Sequence, residues 1–202
     1  MVAVSAALLV TPAAAQLVVV PNLGFYSPLG GWTEEDDGSG FPPLRRQLST
    51  LMYGVRVAHP LSSTVSLQGT FGVAPGQVAL STASGTVDIN AMVFVGSARA
   101  VFRTMTLMDG PTHDQVHWDV LLGAGVGVVH RAGTAWENTQ GVTAPALIVE
   151  LGFAVSAFRL TLEDYISWAR FQFDGSAAPT RSRMHHDLIG TLGFSVTLGG
   201  GK

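Results

Sequence analysis

His185-His186-Asp187, with Ser182 close by, contains the side-chain types of a hydrolytic site. There a histidine takes the proton of a serine hydroxyl while a carboxylate orients the imidazole. On an extended chain, however, His185 and His186 point to opposite faces, and the sequence has no G-x-S-x-G elbow. A second group, His113, Asp114, His117 and Asp119, has the chemistry of metal ligands. His113 falls in a turn while His117 and Asp119 share one strand face, so a common centre would need a favourable bend, and a polar turn is the simpler reading. GAGVG at 123–127 begins like a nucleotide-binding loop, but the third glycine would fall at Val128 and no helix follows. Its glycines read as inward positions that leave room for bulky neighbours. These motifs assign no catalytic residue, no metal and no cofactor.

The residues that demand an explanation are charges inside oily stretches. In RLTLEDYISWARF, 159–171, Leu160, Leu162, Ile166 and Trp168 fall on one parity, and Arg159, Thr161, Glu163, Tyr165 and Ser167 on the other. Arg56 and Glu150 sit on the polar parity of two other stretches. Burying any of them unpaired costs several kcal/mol. Arg56, Glu150, Arg159 and Glu163 are therefore expected to neutralise one another as a luminal polar network, with Arg159 pairing with Glu150 or Glu163. Asp164 has outward parity and is placed near the outer interface, below Trp168.

The elements that would hold such a network are strands. Alternating or β-rich segments lie near 17–28, 47–58, 63–73, 85–102, 116–130, 143–156, 158–172 and 184–198, and helical periodicity is weak throughout. Each has one apolar face; the opposite face is mostly Gly, Ser and Thr with isolated ions. A soluble barrel would turn the oily set inward and carry Lys and Glu outside. Charged residues are only 12% of this chain, about half the usual share, so the polar face suits a crowded interior and the oily face suits lipid. Long and short connections alternate, apart from a medium link around Asp109-Gly110-Pro111, as they do in outer-membrane barrels. The short set, including a tight join near Ser156-Ala157, would lie with both termini in the periplasm. Longer links follow at 29–46, with the acidic run Glu34-Glu35-Asp36-Asp37, at Pro75-Gly76, at Arg131–Val142 and at Asp174–Arg183.

Composition closes other routes. A net charge of −3 with scattered Lys and Arg leaves no stripe for nucleic acid, and the lack of Cys rules out disulfides and thiolate metal sites. MVAVSAALLVTPAAAQ has the apolar run and small-residue end of a secretory signal, with cleavage expected after Ala15. Its missing positive start points to a translation start further upstream. Residues 1–15 are thus expected to be a signal peptide and 16–202 a single barrel domain.

With these features the chain resembles the small eight-stranded bacterial outer-membrane β-barrels of the OmpA transmembrane-domain, OmpX and OmpW type. The resemblance runs over 17–198 and rests on LGFYSPLGG, the LEDY strand and the closing DLIGTLGFSVTL. In the last, Gly190, Leu192, Phe194, Val196 and Leu198 match the family's assembly signal, although family members usually end on an aromatic residue. The resemblance implies an all-β, eight-stranded antiparallel up-and-down transmembrane barrel in the outer membrane, monomeric, with outer-membrane lipid and the barrel assembly machinery as partners. The expected role is non-enzymatic, structural or loop-presenting, with a lumen plugged by polar side chains and a surface-loop partner the sequence does not identify. A narrow porin or small-molecule conduit is the alternative, and a barrel-embedded lipid-modifying hydrolase or acyltransferase the third reading.

Overall fold

A computed structural model describes residues 16–33, 44–106, 118–173 and 183–198. Residues 1–15, where a signal peptide is expected, the acidic run at 34–37, and His113, Asp114, His117 and Ser182 lie outside the described residues. The strands are β1 (Leu17–Leu29), β2 (Trp32–Thr33), β3 (Leu44–Gln47), β4 (Thr50–Pro60), β5 (Val65–Thr82), β6 (Gly85–Thr106), β7 (Trp118–Ala132), β8 (Thr143–Val155), β9 (Phe158–Ala169), β10 (Arg183–Phe194) and β11 (Val196–Leu198). Eight of them, β1, β4, β5, β6, β7, β8, β9 and β10, pair antiparallel in a closed ring, because β1 bonds to β4 on one side and to β10 on the other. β11 continues β10 along β1, and β3 continues the β4 side along β5. Closure matters physically: in hydrocarbon no water is available for an open strand edge.

The paired ends Leu17 and Leu198 of the described strands, the 61–64 turn and the Ser156-Ala157 turn gather at one end, here the terminal end; the opposite, loop end carries 133–142 and a tall hairpin. That hairpin corrects the sequence reading. Pro75 and Gly76 are not a loop: they lie inside β5, opposite Met92 and Ala91, and the chain reverses only at Ala83-Ser84, ahead of Gly85 at φ 136°. Proline is tolerated here because β5 has no ladder partner on its β4 side between Val73 and Val78, where β4 has ended and β3 begins. β5 and β6 thus run 18 and 22 residues, well beyond the roughly 9–11 that cross a bilayer. Arg131, assigned from sequence to a loop, is the penultimate residue of β7.

Face assignment follows the period of two. On β9, Leu160, Leu162 and Trp168 are 54%, 47% and 53% exposed, whereas Thr161 and Glu163 are 2% and 1% exposed. The same holds around the ring, with Phe25, Leu51, Phe71, Phe102, Leu122, Leu151 and Leu192 all on the outside. A continuous apolar exterior of this extent marks contact with lipid. Near the terminal end Phe158 and Phe194 meet edge to face with centroids 5.6 Å apart.

Candidate functional site

The interior is filled in layers that can be read along single strands. From the terminal end, the inward residues of β9 and the segment after it are Arg159, Thr161, Glu163, Tyr165, Ser167, Ala169, Phe171 and Phe173, all buried. They pass from an ionic layer through an apolar one to an aromatic one.

In the ionic layer Glu150 on β8 and Glu163 on β9 are directly opposed cross-strand partners. Like charges so placed repel, so cations must bridge them. Arg99 on β6 does this, with Nη1 2.6 Å from Glu163 Oε2 and Nε 3.0 Å from Glu150 Oε2, the latter an ionic contact too bent to be a hydrogen bond. Arg56 on β4 bonds Glu163 and lies 3.6 Å from Glu150, and its Nη2 donates to Thr161 Oγ1 at 3.1 Å. Arg159 Nη2 donates to Glu150 Oε1 at 2.7 Å. The structure therefore brings Arg56, Glu150, Arg159 and Glu163 together and seats Arg159 against Glu150. Thr70 on β5 accepts from both Arg56 and Arg99. Thr161 shares a 2.7 Å hydrogen bond with Thr191 on β10.

Arg99 was missed from sequence. Its neighbours on the inner face of β6 are Val93, Val95, Ser97 and Val101, a mostly apolar set in which Ser97 alone is polar, so that face did not read as polar. The inward glycines opposite it were the available signal: a Cβ on Gly125 would lie 2.4 Å from Arg99 Cβ and 2.2 Å from the Ala98 carbonyl oxygen. GAGVG is thus the gap into which the ionic layer fits.

Above this layer lie Met52, Val95, Ile148, Tyr165 and Ile189. A second buried pair follows: Arg131 Nη2 is 2.8 Å from Asp187 Oδ2, and Tyr26 donates its hydroxyl to Asp187 Oδ1 at 2.5 Å. The Arg131 guanidinium sits 5.0 Å from the Trp32 ring centre and 5.6 Å from that of Phe171, a cation–π arrangement. Trp32, Trp136, Phe171 and Phe173 then pack at the loop end, with Trp32 5.3 Å from Trp136 and 5.1 Å from Phe171.

The candidate hydrolytic residues separate. His185 faces the lumen and accepts from Trp32 Nε1 at 2.8 Å. His186 faces outward, and its Nδ1 lies 2.7 Å from Asp164 Oδ2. Asp187 belongs to the Arg131 pair. Asp119 lies 3.1 Å from Arg103 Nε near the terminal end.

A closed eight-stranded ring with an oily belt and a filled polar-and-aromatic interior defines the fold of the small outer-membrane β-barrels. Among solved structures the chain is similar to the outer membrane protein OprG from Pseudomonas aeruginosa, at 11% identity over 93% of this chain and 97% of that one, with a TM-score of 0.67. It is also similar to the outer membrane protein AlkL, at 13% identity over 94% and 92% of the two chains, with a TM-score of 0.58. At such identities the likeness is one of fold. No protein-family model and no curated protein matches the sequence.

Proposed function

We propose that this protein is a non-enzymatic structural barrel of the outer membrane that presents its loop end, above all the tall β5–β6 hairpin, to the exterior. The observation that carries the reading is the sequence of filled layers: paired ions, then an apolar slab, then the Arg131–Asp187 pair, then stacked aromatics. A conduit needs a continuous wet path, and side chains ordinarily fill an eight-stranded interior. In this reading the barrel is monomeric, is folded into the outer-membrane lipid by the assembly machinery acting on its closing strand, and needs no cofactor. Planar-bilayer recording on purified protein tests it. No conductance steps are expected, and a steady wild-type current would replace this reading with the narrow conduit.

A further inference from the structure

We infer that the terminal end of the lumen holds a binding site for a small oxyanion of the phosphate type, built on Arg159. Three observations meet there. Among the described residues the ionic layer sets Arg56, Arg99 and Arg159 against Glu150 and Glu163. Three cations and two anions leave one positive charge in excess. An excess buried charge is costly and calls for a counterion.

The excess has an outlet. A cavity of about 180 Å³ lies at the terminal end, bordered by Arg159, Gln68, Ser62, Thr64, Ser66 and Ser195. Arg159 is the one member of the ionic layer's five charges on that border. Its side chain is only 9% exposed, and its Nε makes no hydrogen bond. A guanidinium offers a planar fork of donors that matches an oxyanion, and here one edge is left over after Glu150 has taken Nη2. The surrounding hydroxyls can donate to further oxygens of the same ligand. The one described carboxylate on the border, Asp119, is matched by Arg103 at 3.1 Å, so that pair leaves the balance positive.

The test uses the barrel refolded in an uncharged maltoside detergent without phosphate. Urea unfolding is followed while inorganic phosphate is titrated against chloride at matched ionic strength. An anion bound only by the folded state raises the folded-to-unfolded ratio about tenfold for each tenfold rise in ligand above its Kd. That logarithmic gain is expected for phosphate and not for chloride. Arg159→Met keeps the apolar stem and balances the cluster at two against two. It should lose the phosphate response, read as the difference between its own unfolding midpoints in phosphate and in chloride. If that variant does not fold, Arg159→Lys, which keeps the charge without the fork, should bind phosphate at least tenfold more weakly. The same phosphate response in either variant as in the parent, or a parent that responds equally to both salts, overturns the proposal.

Discussion

Glu150→Gln separates a plugged lumen from a wet one by magnitude. Glu150 faces Arg159 at 2.7 Å, Arg99 at 3.0 Å and Arg56 at 3.6 Å, and its side chain is fully buried. The substitution keeps the shape and removes the charge, leaving three guanidiniums with Glu163 alone. Stranding buried charge in this way costs about 3–5 kcal/mol. In a water-filled pore the same contacts would behave like surface ion pairs, worth about 0–1 kcal/mol each. Against a total stability on the order of 5–15 kcal/mol, the first value brings the variant near unfolding and the second is barely visible. Urea unfolding in micelles, followed by tryptophan fluorescence and by the gel shift between folded and boiled protein, reads the difference. Adding Arg159→Met should restore part of the loss, because it removes one of the stranded cations, with a coupling of about 1–3 kcal/mol. A loss below about 1 kcal/mol together with additive effects would refute the closed ionic layer.

Leu162→Arg is expected to impair insertion by about 2–4 kcal/mol, since the side chain meets hydrocarbon, and vesicle reconstitution measures it. Thr161→Val, one residue away but inside, should insert normally and lose about 1–3 kcal/mol from the unpaired groups it leaves. Gly125→Ala places a Cβ 2.2 Å from the Ala98 carbonyl oxygen and should cost about 1–3 kcal/mol by overpacking, seen as an earlier unfolding midpoint; an unchanged midpoint contradicts the crowded wall. Trp136→Ala opens the aromatic layer at a cost of about 3–5 kcal/mol, yet planar bilayers should stay silent because the ionic layer below still blocks the bore.

What the amino-acid order determined is the part governed by local geometry. A period of two sorts residues onto two faces on any extended strand, so Leu160 and Leu162 were legible as outward, and Arg159 and Glu163 as inward, without knowing their neighbours. The scarcity of charge, with a polar face made mostly of Gly, Ser and Thr opposite an oily one, was enough to choose a membrane barrel over a soluble one. Pro75 shows where local signals stop: read alone it is a turn, and it becomes a strand residue only because β4 ends and β3 begins beside it. The ionic layer is decided at longer range still. Arg56 reaches Glu163 across 107 positions and Arg99 reaches it across 64, contacts made across the bore by strands that are not adjacent in the ring. Which inward cation meets which inward carboxylate depends on the tilt and stagger of all eight strands at once. Parity along one strand carries no information about that stagger, so partners across the lumen emerge only when the sheet closes.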